Sequence, residues 1–149
     1  MDHGALMPTK ATLKSAGLDL YACEEGRILK GTRKFINTGI SIILPPKTYG
    51  RIAPRSGLSA KGIDIGAGVV DEDYRGIIKV LMINNSNENF IFNYGDRICQ
   101  LIIERIRYAK VYLVNTKGVL PKPDNEAYPT VDGIMNSIRG TRGFGSSGK

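Results

Sequence analysis

Gly68-Val69-Val70-Asp71-Glu72-Asp73-Tyr74-Arg75-Gly76 runs directly into the apolar stretch 77–83. An apolar run that ends in an acidic turn and then resumes reads as strand, turn, strand, here a hairpin. A carboxylate placed where a strand turns is held rigidly, which suits a general base. A tyrosine three residues later can present its ring to a substrate. Taken alone, the same residues also make an ordinary charged hairpin turn.

The pattern repeats outward from this point. Short apolar or alternating runs occur at 35–44, 49–53, 90–92, 98–106 and 111–114. Turn residues separate them: Pro45-Pro46, Asn84-Asn85-Ser86-Asn87 and Tyr94-Gly95-Asp96. Several short strands at this spacing predict an all-β sandwich or barrel. One short helical turn is expected at 56–61, after Pro54. Residues 117–130 hold Gly118, Pro121, Pro123 and Pro129 and read as a loop or extended arm. The last eleven residues, Arg139 to Lys149, contain four glycines and no strand pattern, so a tail that is mobile when free is expected. The division is a β-domain at 1–138, with a connector at 116–138, and a lid at 139–149 that belongs to the same domain.

The 149 residues suit one domain with a proper core. No apolar run approaches the roughly 18 residues of a membrane span, and no signal-peptide core is visible. Cys23 and Cys99 are too few for a disulfide scaffold and lack metal spacing, so core thiols in a reduced, intracellular compartment are expected. His3 is the single histidine, which removes histidine triads and histidine metal cages. The 21 Lys and Arg against 14 Asp and Glu leave a net charge of +7, which attracts anions such as nucleic acid or a small polyphosphate. The basic residues are spread along the chain without interleaved aromatics, so no specific nucleic-acid partner is expected.

Four further segments carry chemistry. Arg55-Ser56-Gly57, after a strand and before a helical turn, offers a guanidinium, a hydroxyl and backbone N–H groups to a phosphate chain; an ordinary helix cap by Ser56 is the plainer reading. In Gly95-Asp96-Arg97-Ile98-Cys99-Gln100-Leu101, Ile98, Gln100 and Ile102 share a strand face, so Gln100 interrupts an apolar face and needs partners. Asp19, between apolar neighbours in Ala16-Gly17-Leu18-Asp19-Leu20, reads by itself as an ion-pair partner. Gly143-Phe144-Gly145-Ser146-Ser147-Gly148 satisfies a dinucleotide motif, and 143–149 a P-loop motif. Both need a strand before and a helix after, and Lys149 is the last residue of the sequence. Their glycines and hydroxyls can still converge on an anion, with Arg139 and Arg142 adding charge and Phe144 a ring that stacks on a base.

These five segments, in this order, resemble the all-β, homotrimeric dUTPase family over the chain from about Ala16 to its end. The resemblance implies conversion of dUTP and water to dUMP and pyrophosphate, with Mg²⁺ on the triphosphate. That activity limits uracil incorporation into DNA and supplies dUMP for dTMP synthesis. It implies Asp71 as the base that activates water and Tyr74 against the deoxyribose. Uracil would be read by backbone groups of Gly68, Val69, Val70 and Asp71 and near Lys79. Arg55, Ser56, Gly57 and Gln100 would hold the phosphates, and Asp19 would act through metal-bound water or by orienting an arginine. Arg139, Phe144, Gly145, Ser146 and Ser147 would arrive from the tail, and each site would be shared between three subunits. The chain departs from the family pattern at Arg142, where glycine is usual, at Ser147, where threonine is commoner, and in its longer connector. A dCTP deaminase on the same fold is the nearest alternative, told apart by ammonia instead of pyrophosphate. A non-catalytic dNTP-binding relative and a nucleic-acid module are the others.

Overall fold

The computed structural model describes residues 4–109. The expected strand at 111–114, the connector and the tail lie outside the described residues. Nine strands and one short helix follow in order: β1 (Gly17–Tyr21), β2 (Gly26–Ile28), β3 (Arg33–Asn37), β4 (Thr48–Ala53), α1 (Ser56–Ser59), β5 (Ile63–Gly66), β6 (Val69–Val70), β7 (Lys79–Asn84), β8 (Phe90–Phe92) and β9 (Arg97–Arg105). The all-β expectation with one short helix holds. The strands form a four-stranded sheet β1-β9-β4-β6, a three-stranded sheet β3-β7-β5 and the pair β2-β8. All the pairings are antiparallel.

The core arises where the inward faces of these sheets meet. Leu20, Ile28, Ile36, Ile52, Ile63, Val80, Met82, Phe92, Ile98 and Leu101 all lie in one buried cluster. β7 shows the period-two rule plainly: Val80, Met82 and Asn84 are buried while Lys79 is exposed. Asn84 is fully buried, yet its amide donates to the carbonyls of Ile28 and Glu88 and its oxygen accepts from Ser86. A buried amide so satisfied pins the 85–89 turn instead of destabilising it.

Three expectations need correction. First, the run 35–44 is not one strand. β3 stops at Asn37, and Gly39 adopts φ +68, a left-handed conformation that a side chain would resist. Beyond the break, Thr38 and Ile40 still bond to Ile78 through their backbones. Second, the runs on either side of Asp71 do not pair as a hairpin. β6 pairs with β4 and β7 with β3 and β5, so residues 71–78 cross from one sheet to another. Third, Gln100 does not lie on the core face. Cys99 and Leu101 are buried, whereas Gln100 and Ile102 are half-buried on the opposite face. A register shift between Leu20 and Tyr21 lets Ile98 and Cys99 both turn inward, which breaks the alternation that the sequence reading assumed.

Candidate functional site

The centre of the four-stranded sheet brings the phosphate-binding candidates together. Asp19 on β1 faces Gln100 on β9, and Ala53 on β4 faces Gln100 from the other side. Three strands about 4.8 Å apart thus put an acid, an amide and the start of the Pro54-Arg55 turn in one row. Gln100 donates its Nε2 to the carbonyl of Pro54 at 3.0 Å, and its oxygen lies over Gly17, where a Cβ would come within 2.6 Å of it, so the amide is fixed. The backbone of Asp19 is bracketed by Thr9, each residue's N–H reaching the other's carbonyl.

Asp19 is buried, and both of its oxygens meet guanidinium groups. Arg55 Nε stands 3.1 Å from Oδ1 and Arg97 Nη1 3.4 Å from Oδ2. Arg55 also donates to the carbonyl of Arg97 at 3.2 Å. A buried carboxylate of this kind is tolerated because paired cations and hydrogen bonds offset its desolvation. The consequence is local: Asp19 orients Arg55, the reading in which it acts through an arginine. Arg97 is a member of this cluster that residue type alone does not mark out. The Asp96-Arg97 pair opening a strand was the signal available.

Ser56 is the first residue of α1 and not its cap. Arg55 takes the cap position, with φ −80 and ψ 139, and no side chain caps the turn. The first amides of a helical turn have no partner within it, so those of Ser56 and Gly57 stay available. Asp19, Arg55, Ser56, Gly57 and Gln100 line one cleft of about 480 Å³, together with Ala11, Leu58 and Lys61. With Arg55 and Lys61 on its wall and Asp19 neutralised, the cleft suits an anion.

The second group sits elsewhere. The carbonyl of Gly68 accepts from the N–H of Ile52 at 2.7 Å, and a side chain at Gly68 would place its Cβ 2.4 Å from that residue's oxygen. Only glycine permits this approach of β6 to β4. Val70 is buried against Gly50, and Asp71 begins the crossover. Tyr74 is packed against the core, and its hydroxyl donates to the carbonyl of Ile77 at 2.9 Å. The hydroxyl is therefore engaged, and the ring is what Tyr74 can offer. A Cβ at Gly76 would lie 2.5 Å from that hydroxyl, so glycine keeps the ring's place open. Lys79 is exposed at the start of β7, opposite Asn37.

Gly68, Val69, Val70, Asp71, Tyr74 and Lys79 do not line the cleft. Gly68 bonds to Ile52, next to Ala53 of the cleft's row, whereas Val70 pairs with Gly50, three residues and roughly 10 Å back along β4. Two of the expected groupings thus lie along one sheet, the second outside the cleft. The third, Arg139, Phe144, Gly145, Ser146 and Ser147, lies outside the described residues.

Other chemistry is limited. Cys99 is fully buried, and burial pushes its thiol pKa far up, with the Asp19 charge adding to the effect, so it is inert as expected. Cys23 is free and only half-buried. Among the described residues no group of three or more His, Cys, Asp or Glu could hold a metal, and no helix is long and apolar enough to cross a membrane.

Comparison with known proteins identifies the family. The dUTPase family pattern matches residues 4–148. A deoxyuridine 5'-triphosphate nucleotidohydrolase of cowpox virus is 47% identical over 144 residues, covering 97% of this chain and 86% of its own. Among solved structures, a phage phi11 dUTPase mutant described with a structural Mg(II) ion gives a TM-score of 0.70 at 22% identity, over 76% of this chain and 92% of that one. A mutant dUTPase of Staphylococcus bacteriophage 80alpha with dUpNHpp gives 0.71 at 23% identity, over 99% and 95%. With a family match over nearly its whole length and a viral relative close to half identical, this chain belongs to the dUTPase family.

Proposed function

We propose that the chain hydrolyses dUTP to dUMP and pyrophosphate as a homotrimer whose sites are shared between subunits. The observation that carries the reading is the cleft: a guanidinium held by a buried carboxylate, a hydroxyl, two open amides and a fixed glutamine converge there on a space suited to phosphates. Asp71 takes a proton from water, and the water oxygen attacks the α-phosphorus in line. The bond from that phosphorus to the α,β-bridging oxygen breaks, and pyrophosphate leaves with the electron pair. General-base assistance of this kind contributes about 10²–10⁴-fold. Charge that develops on the departing phosphates is met by Arg55, Ser56, the Gly57 amide and Gln100.

Selection of the nucleotide falls to the other group. The Tyr74 ring, held by its bond to Ile77, lies against the deoxyribose, where a 2′-hydroxyl would collide. Backbone groups of Gly68 to Asp71 and near Lys79 read uracil, in a slot too tight for a methyl group. Arg139, Phe144, Gly145, Ser146 and Ser147 close over the bound nucleotide, with Phe144 stacking on the base. The Asp71 turn follows Val70, which pairs roughly 10 Å back along β4 from Ala53 and outside the cleft lining, and this supports a site completed by a second chain.

Mg²⁺ would arrive on the triphosphate, its ligands coming from the phosphates and water and not from a protein cage. Among the described residues Asp19 is the one carboxylate on the cleft wall, and with its oxygens engaged by Arg55 and Arg97 it would reach such an ion only through water. When bound, the ion supplies charge neutralisation and orientation of the phosphates. The test is pyrophosphate release with Mg²⁺ on dUTP, dTTP, dCTP and UTP. Turnover confined to dUTP is expected; silence on dUTP, or ammonia from dCTP, would overturn the reading.

A further inference from the structure

The turn that carries Asp71 is fastened on both sides. Before it, Val70 is paired with Gly50. After it, Glu72 Oε2 accepts the backbone N–H of Lys47 at 2.9 Å and the hydroxyl of Tyr108. Arg75 closes the turn by donating to the carbonyls of Glu72 at 2.7 Å and Tyr74 at 2.9 Å.

The anchor itself is built. Lys47 holds φ 60, a left-handed conformation uncommon for a residue with a side chain. Its N–H is given to Glu72, and its carbonyl accepts from Ile106 at the end of β9. Three segments distant in sequence therefore meet at one carboxylate: the turn before β4, the Asp71 crossover and the chain leaving β9. Partial burial and the Glu72 bond push the Tyr108 phenol up to about 12, so its O–H remains a donor across the working pH range.

We propose that Glu72 is a positioning residue, holding Asp71 on target by tying its turn to Lys47 and Tyr108 without touching substrate. The inference rests on Asp71 being the base. Displacement of a reacting group by about 1 Å costs on the order of 10²-fold, so an anchor one residue away has leverage on the rate.

The test is kcat and KM for dUTP with Glu72→Ala, Glu72→Gln and Tyr108→Phe, alongside Asp71→Asn and the thermal midpoint of each. Glu72→Ala is expected to lower kcat by roughly 10- to 100-fold while KM stays within about twofold. Glu72→Gln keeps an oxygen that accepts both bonds, so it should recover most of the rate, with Tyr108→Phe in between. Should the alanine variant fail to fold, the glutamine and phenylalanine variants carry the comparison. A parent-like kcat in Glu72→Ala while Asp71→Asn is inactive would overturn the positioning role alone. So would equal losses in the alanine and glutamine variants, or a rise in KM with kcat unchanged. An active Asp71→Asn would instead remove the base assignment beneath it.

Discussion

The cleft beside Arg55 and the turn at Asp71 lie on the same sheet but are built by opposite means. The cleft is made by register: three paired strands put Asp19, Gln100 and Ala53 in one row, and charge then fixes Arg55 against Asp19. The turn is made where register ends, as the chain leaves β6 for β7 in another sheet and is held by individual hydrogen bonds from Glu72, Tyr74 and Arg75. The first arrangement resists deformation and suits holding a charged substrate. The second can aim single groups, which is what a base and a selective ring require. On the proposed reading neither contains a whole site.

The sharpest way to break the contrast is to disable each region and compare which kinetic constant moves. Asp71→Asn should lower kcat by about 10²–10⁴-fold while binding of a non-hydrolysable dUTP analogue, measured by titration, is retained. A variant turning over near the parent rate would strip the turn of its catalytic role. Asp19→Asn should act on the other constant. With Arg55 no longer held, KM for dUTP should rise by about tenfold, the scale of one hydrogen bond to a charged group, with a smaller change in kcat. A loss in kcat alone would mean that the cleft aims instead of holds.

The smallest effect concerns the exposed cluster beside the turn, where Glu104 accepts from Tyr49 at 2.5 Å and Arg51 at 2.8 Å. The Tyr49 hydrogen bond, and then that of Arg51, lower the Glu104 pKa. A carboxylate depressed in the folded state contributes stability above its unfolded value, about 4.3, and loses it as pH falls through the lower native value. The gap in thermal midpoint between parent and Glu104→Gln should thus be small near neutrality and close as the solution is acidified below about pH 4. A gap that widens on acidification would reverse the sign argued here.

What the sequence revealed of this contrast follows its physics. β4, β8 and β9 were legible because their apolar residues alternate or cluster over a recognisable run. β1, β2 and β5 were not, since they are three to five residues long and carry glycine or charge in positions where pattern reading expects turns. The core face of β9 was misread because a bulge at Leu20/Tyr21 shifts the alternation, and bulges leave no trace in a single strand's pattern. The phosphate candidates were legible as residue types, but the Asp19–Arg55–Arg97 ion-pair set was not, because it joins residues 36 to 78 apart in sequence. The crossover after Asp71 was hidden for the same reason, since strand partners are chosen by the whole sheet.

The central claim is that the two regions complete each other across subunits, and mixing tests it most directly. Asp71→Asn chains and Arg55→Ala chains, each inactive alone, would be unfolded together, refolded and assayed for dUTP turnover. Activity that reappears only in the mixture is the predicted result, because some sites would then combine an intact Asp71 from one chain with an intact Arg55 from another. A mixture that forms mixed oligomers and stays as inactive as its components would contradict the account.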